Sequence, residues 1–312
     1  MRQELEQDLD MVGVTGVEDK LQVGVFECVE KMREAGIKVW MLTGDKVETA
    51  TCIAISAGLK GVNHGMFEMR ETRDSEIERG LQNFKLISSN TLLIVDGRTI
   101  TRCLEAHREL FFASAIQAPA VVCCRCSPTQ KSEVVKSIKE FTKKRTCSIG
   151  DGGNDVAMIQ EADVGIGIVG KEGKQASLAA DFSINQFSYI KQLILWHGRL
   201  SYTRTSVLSQ FVIHRGLIIS VIQAVFSIIF YFAAIPIYNG MLMLGYTTVY
   251  TSLPVFSLVF DEDANISSVM RYPLLYRDLQ KGRRLSFKTF LIWVSMSIYQ
   301  GSMVIILTLL IF

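Results

Sequence analysis

Ser148-Ile149-Gly150-Asp151-Gly152-Gly153-Asn154-Asp155 is the stretch that decides the fold. An apolar run ends in glycines and two carboxylates, and Asp155-Val156-Ala157-Met158-Ile159 starts a pattern of helical period, so the glycines occupy a strand-to-helix turn. In parallel α/β sheets such turns face the ligand crevice. Asp151 belongs to the strand end and Asp155 to the first helical turn, which aims both at one hard cation. Two carboxylates that close repel unless a cation lies between them. The competing reading makes Asn154 or Asp155 a helix cap, and it leaves Asp151 and the paired glycines without a role. The stretch is therefore a candidate phosphate and Mg²⁺ site.

Working outward, the preceding chain repeats strand, turn and helix in the order of a βαβ unit. A strand and turn are expected at Met11–Gly16, an amphipathic helix over Lys20–Ala35, and a strand over Ile37–Leu42 that ends in Thr43-Gly44-Asp45 before a helix over Val47–Ser56. Asp45 with Glu48 fits a capping box; the same turn also fits a phosphoryl oxygen held at a helix N-terminus. His64–Gly80 is charged, has little periodicity and reads as a loop. Leu92–Val95 is a strand with Asp96-Gly97 as its turn, Cys103–Ile116 a helix, and Ala118–Cys124 a strand leading into Arg125-Cys126-Ser127-Pro128-Thr129-Gln130-Lys131. Ser127 and Pro128 read as N-cap and first helical residue. Lys131 then lies in the first turn, where the helix dipole disfavours a cation; it is either a solvated lysine or a lysine facing a bound phosphate. Val164–Ile168 is a glycine-spaced strand, and Gly170–Asp181 a glycine-bearing loop with a short helix.

The 312 residues suffice for about two domains, and the two halves suit different solvents. Gly216–Phe260 carries no charge, enough for two bilayer-spanning helices of about 20 residues each. Thr289–Phe312 is a further uncharged run. The expected division is a cytosolic domain over 1–186, a linker helix over 187–206 and a membrane domain over 207–312 with spans near 208–234, 240–260 and 289–312. The amphipathic helix over Gln186–Tyr202 leads to the first span. Lys191, Arg199 and Arg204 place its end on the cytosolic side, and Arg271, Arg277, Lys281, Arg283, Arg284 and Lys288 return the second loop there. Net charge of +2 and no interleaving of basic and aromatic residues argue against a nucleic-acid surface. The seven cysteines form no pair of zinc-ligand couples and read as reduced thiols.

Thr43-Gly44-Asp45, Arg125–Lys131 and Gly150–Asp155, in that order and followed by apolar spans, resemble the P-type ATPases of the haloacid dehalogenase superfamily. The resemblance implies a haloacid dehalogenase-like α/β phosphorylation domain followed by transmembrane helices. It implies that Thr43 and Lys131 hold the phosphoryl group with Asp151 in the catalytic set, that Asp151 and Asp155 bind Mg²⁺, and that Thr43, Gly44, Asp45, Arg125, Lys131, Asn154 and Asp155 contact ATP. Phosphoryl transfer asks little more of a protein than such positioning and charge neutralisation.

Val17–Gln22, Gly170–Ala176, His197–Tyr202 and Thr251–Val255 narrow the resemblance to the type-four members, the phospholipid flippases, over essentially the whole chain. Most flippases have Tyr-Lys-Asn where this sequence has His214-Arg215-Gly216, and Asn often stands where Thr247 does. These departures resemble the phospholipid-transporting ATPase IIA and IIB branch. The flippase resemblance implies an aminophospholipid substrate and residence in endosome, trans-Golgi network or plasma membrane; the branch implies no accessory glycoprotein subunit, and the departures make His214, Arg215 and Thr247 candidate lipid-coupling residues while leaving lipid selectivity open. Arg215 also fits a residue that snorkels to the interface. No Asp-Lys-Thr-Gly-Thr is present, so the expectation is a carboxy-proximal piece of a pump of about a thousand residues, inactive by itself. Its sheet would lack a central aspartate-bearing strand between those ending at Thr43 and Asp151. The rival readings are a cation pump, which needs intramembrane oxygen ligands that Gly216–Phe260 does not offer as carboxylates; a tethered phosphatase, which needs its own nucleophile; and a truncated non-catalytic membrane protein.

Overall fold

The computed structural model describes residues 13, 21–170, 174–232 and 234–311. The strand expected over 11–16 and the motifs over 17–22 and 170–176 lie wholly or partly outside the described residues. In order, α1 (Val25–Glu34) leads to β1 (Val39–Leu42), α2 (Val47–Ser56), β2 (Gly65–Met69), α3 (Asp74–Ile87), β3 (Thr91–Asp96), α4 (Gly97–Ala106), α5 (Arg108–Ala115) and β4 (Ala120–Cys124). Then come α6 (Pro128–Thr142), β5 (Cys147–Gly150), α7 (Val156–Glu161), β6 (Val164–Ile168), α8 (Gln175–Ala179) and β7 (Phe182–Ile184).

The strands pair in parallel, in the orders β1-β4-β3-β2 and β5-β6-β7. Every residue of β3 and β4 is buried, which is why both read as unbroken apolar runs. Side chains alternate across the sheet. Leu93, Val95, Val121 and Cys123 pack with Phe84, Phe111 and Phe112 from α3 and α5, whereas Leu92, Ile94, Ala120 and Val122 pack with Val29, Ala50 and Ala54 from α1 and α2. Helices thus cover both faces, as the α/β reading requires. Among the described residues β1 pairs only with β4 and β5 only with β6, so each is an edge strand of its sheet, as β2 and β7 are at the opposite edges.

Three expectations are corrected. His64–Gly80 is not a loop: it contains β2 and the start of α3, whose Ile77, Leu81 and Phe84 are fully buried while its charges face outward. The helix over Cys103–Ile116 breaks at His107, where φ −127° and ψ 32° leave the helical region. The helix over Lys20–Ala35 begins only at Val25, after Gly24 at φ +83°.

Beyond β7 the linker and first span form one helix, α9 (Phe187–Ile229), which passes through a π-helical turn at Gln192–Gly198. Its 43 residues extend about 65 Å, twice a bilayer core of about 30 Å, so its N-terminal half is a stalk. It ends at Ile229 rather than 234. α10 (Gly240–Phe260), the short α11 (Ile266–Arg271) and α12 (Leu274–Arg277), and α13 (Phe287–Ile311) follow. α9, α10 and α13 are long and apolar enough to cross a membrane. α9 meets α13 at Gly301, where an added Cβ would lie 2.9 Å from Val221 Cβ and 3.0 Å from Ile218 O; a small residue there permits close helix packing. The stalk joins the α/β domain through Cys28, Met32, Ile190, Leu195 and Val269, and through Lys191 Nζ at 2.7 Å from Glu27 Oε1.

Candidate phosphoryl-transfer site and intramembrane polar cluster

The C-terminal ends of β1 and β4 are bonded to each other. Thr43 N–H donates to Cys123 O at 2.9 Å, Arg125 N–H to Asp45 O at 3.0 Å and Cys126 N–H to Thr43 O at 2.9 Å. Thr43 Oγ1 donates to Asp45 Oδ2 at 2.7 Å and accepts from Asp45 N–H at 3.1 Å. The capping box expected at Asp45 and Glu48 does not form: Lys46 is the N-cap of α2, and Glu48 pairs with Arg70 at 3.1 Å. Asp45 instead orients the hydroxyl of Thr43.

Ser127 caps α6 as expected, and it does so in a capping box with Gln130. Gln130 Nε2 also donates to Gly97 O at 3.0 Å and Thr101 Oγ1 at 2.7 Å, fixing α6 against α4. Lys131 one residue on is not solvated: its side chain is 11% exposed, and Nζ lies 2.8 Å from Asp155 Oδ1. Nor is Asp155 a capping side chain, since it makes no cap bond to α7. Lys131 and Asp155 are 24 residues apart in sequence, and their bond ties the end of one sheet to the end of the other.

The glycines have steric reasons. A Cβ on Gly150 would collide with the side chain of Asp155, and one on Gly153 with Oε1 of Gln175. Asp151 is exposed, and among the described residues its side chain makes no hydrogen bond or ion pair; Asn154 is exposed on the 3-10 turn Gly153–Asp155. No group of three or more His, Cys, Asp or Glu side chains converges among the described residues. Mg²⁺ is commonly held by one or two carboxylates with water and substrate phosphate, so the Asp151 and Asp155 pair fits that donor set. Because Lys131 already balances Asp155, Asp151 is the uncompensated charge of the turn. Arg125 stands half exposed on a backbone at φ +53°, with Nε 3.8 Å from Asp96 Oδ1.

Cys123, Cys124 and Cys126 of β4 and its turn are buried; burial pushes the Cys124 thiol up to about 12, consistent with an inert core thiol at that position.

Between the spans, His214 Nδ1 lies 2.7 Å from Ser297 Oγ on α13, and Arg215 Nη1 donates to Thr247 O at 3.1 Å and Thr251 Oγ1 at 2.9 Å on α10. Arg215 is thus brought to Thr247 on α10, whereas His214 is paired with α13 and makes no hydrogen bond with Thr247. The acceptor on Thr247 exists because α10 is π-helical over Tyr246–Tyr250: Thr251 N–H reaches Tyr246 O at 3.3 Å instead of Thr247 O. Arg215 is therefore held within the bundle by α10.

Residues 2–163 match the haloacid dehalogenase-like hydrolase family, and residues 177–312 match the family described as Phospholipid-translocating P-type ATPase C-terminal. The chain belongs to the haloacid dehalogenase-like hydrolases. It is 56% identical over 298 residues to the Homo sapiens protein named "Probable phospholipid-transporting ATPase IIB", covering 95% of this chain and 26% of that relative. Identity is 52% over 302 residues to Phospholipid-transporting ATPase NEO1 of Saccharomyces cerevisiae, covering 96% and 26%. It is 41% over 316 residues to Phospholipid-transporting ATPase 2 of Arabidopsis thaliana, covering 98% and 28%. The resemblance to phospholipid-transporting P-type ATPases is thereby borne out, and the chain spans about a quarter of the length of these relatives.

Asp96, Gln130 and Gln175 in the α/β domain and Thr251 in α10 are functional positions without an assigned role from sequence. Only Gln130 carried a readable signal, the Ser-x-x-Gln spacing of a capping box; the others act through contacts distant in sequence.

Proposed function

We propose that this chain is the part of an ATP-driven phospholipid-translocating P-type ATPase that holds the transferred phosphoryl group and carries the stalk and three spans. The observation that carries the proposal is the largely buried Lys131–Asp155 bond. It joins the Thr43 turn, through Cys126 and α6, to the Gly150-Asp151 turn, so the groups that the reaction needs stand at the ends of neighbouring sheets. Thr43 and Lys131 would bind phosphoryl oxygens, and Asp151 with Asp155 would hold Mg²⁺, which supplies positive charge as the phosphoryl group moves. Thr43, Gly44, Asp45, Arg125, Lys131, Asn154 and Asp155 would contact ATP. The nucleophilic aspartate would come from a strand of the full-length protein, seated between β1 and β5, each of which is paired on one side only among the described residues. In the membrane, His214, Arg215 and Thr247 would couple headgroup binding to the pump.

The substrate in this reading is an aminophospholipid, moved without an accessory glycoprotein subunit, in endosome, trans-Golgi network or plasma membrane. The test is ATPase activity of the full-length protein, expressed alone and reconstituted with a panel of headgroups. Stimulation by phosphatidylethanolamine or phosphatidylserine is expected. A protein indifferent to every phospholipid but stimulated by a cation would refute the reading.

A further inference from the structure

We infer that Asp96 and Gly97 form the seat of Arg125 and set nucleotide affinity through it; the inference rests on the reading of Arg125 as a nucleotide contact. Asp96 closes β3 beside Cys124, the residue before Arg125 on β4. Its side chain is 10% exposed, and Oδ1 is buried without a hydrogen bond, 3.8 Å from Arg125 Nε. The other oxygen, Oδ2, accepts from Arg98 N–H at 3.4 Å and caps α4. One carboxylate oxygen is thus committed to the fold and the other faces the guanidinium.

Gly97 supports the same residue from the backbone side. A Cβ there would lie 2.5 Å from Arg125 O and 3.2 Å from Cys124 O, so only glycine lets α4 start this close to the turn. Asp45 O holds the Arg125 amide from the opposite side at 3.0 Å. The left-handed φ of +53° at Arg125 is a conformation that a non-glycine residue adopts only when its surroundings enforce it. Here Gly97 and Asp45 enforce it, and Asp96 lies on the Nε edge of the guanidinium. An aspartate at that edge leaves the two terminal nitrogens free, and these are the atoms that grip a phosphate or carbonyl oxygen in fork geometry. A short approach of Nε onto Asp96 Oδ1 also satisfies that buried, unbonded oxygen, so binding at the terminal nitrogens and closure onto Asp96 favour each other.

Asp96 is accordingly a positioning residue, and its effect falls on binding of ATP rather than on phosphoryl transfer. Asp96→Asn isolates the charge, because asparagine caps a helix as well as aspartate. In the full-length protein, Asp96→Asn is expected to raise KM for ATP about three- to ten-fold with kcat unchanged, as loss of a binding-only contact does. Arg125→Ala should raise KM further. The double variant Asp96→Asn, Arg125→Ala should be no worse than Arg125→Ala, since the two residues act through one contact. A KM unchanged by Asp96→Asn while Arg125→Ala raises it would overturn the inference alone, as would additive effects in the double variant. A KM unchanged by Arg125→Ala would overturn both the inference and the nucleotide role beneath it.

Discussion

Gly150 and Asp151 separate two kinds of dependence within one turn. Asp151→Asn leaves the shape of the turn intact and removes only the uncompensated charge, so Mg²⁺-dependent phosphoenzyme in the full-length protein should be lost while thermal stability is retained. Normal phosphoenzyme in that variant would refute the metal assignment. Gly150→Ala must displace Asp155; it should destabilise by about 1–3 kcal/mol and lose phosphoenzyme together with stability. Asp163 tests the electrostatics away from the crevice. The Thr146 backbone N–H at 2.9 Å, then Arg145 and Lys139, hold its carboxyl down at about 2. A group depressed below its unfolded value of about 3.9 gives stability that is complete above that pH and lost as pH falls through about 2. Arg145 is almost fully exposed and adds little, so the Thr146 bond dominates. Thermal unfolding between pH 2 and 6 should be less acid-sensitive in Asp163→Asn than in wild type, and equal sensitivity would contradict the assignment.

At the scale of elements, α10 shows how a broken helical register creates a polar acceptor in an apolar span. Pro254 has no N–H to offer Tyr250 O, and its ring crowds that carbonyl; one turn earlier the π-helical stretch releases Thr247 O to Arg215. Arg215→Ala should therefore reduce lipid-stimulated ATP turnover several-fold while basal phosphorylation persists. Equal turnover with wild type would return Arg215 to the role of an interfacial anchor. The elements that were legible in the sequence are those whose burial is uniform or strictly periodic. Leu92–Val95 of β3 and all of β4 are apolar because both faces are covered, and the Ser127-Pro128 start of α6 is local chemistry. β2 and α3 were hidden because their outward charges outnumber the four buried residues Met69, Ile77, Leu81 and Phe84. The Lys131–Asp155 bond and the orphaned Asp96 oxygen were not legible at all, since each depends on strands brought together from distant parts of the chain.

On the scale of the molecule, the stalk makes α9 a continuous helical link between the α/β domain and the spans, and the loop bearing α11 and α12 packs beside it. Arg199 Nη2 lies 2.6 Å from Asp263 Oδ2, and Gln280 Nε2 reaches Ala35 O at 3.4 Å, so this loop belongs to the same side of the membrane as the α/β domain. The sequon Asn265-Ile266-Ser267 lies in it, with Asn265 Oδ1 accepting from Ser267 N–H to cap α11. An acceptor for glycosylation must face the lumen, so Asn265 should be unmodified; a glycosidase-sensitive mass shift abolished by Asn265→Gln would invert the topology.

Among the described residues β1 and β5 are each paired on one side only, which bears on the central claim of the proposal, that an aspartate strand of the full-length protein completes the phosphoryl site. Exposed edges of that kind are prone to pair with other chains, so the isolated chain should also tend to aggregate. The most direct measurement incubates the 312-residue chain and the full-length protein, in parallel, with labelled ATP and Mg²⁺ and assays acid-stable, hydroxylamine-sensitive phosphoprotein. The account predicts label on the full-length protein and none on the chain alone; label on the chain alone would mean that one of its own carboxylates is the nucleophile, and would contradict it.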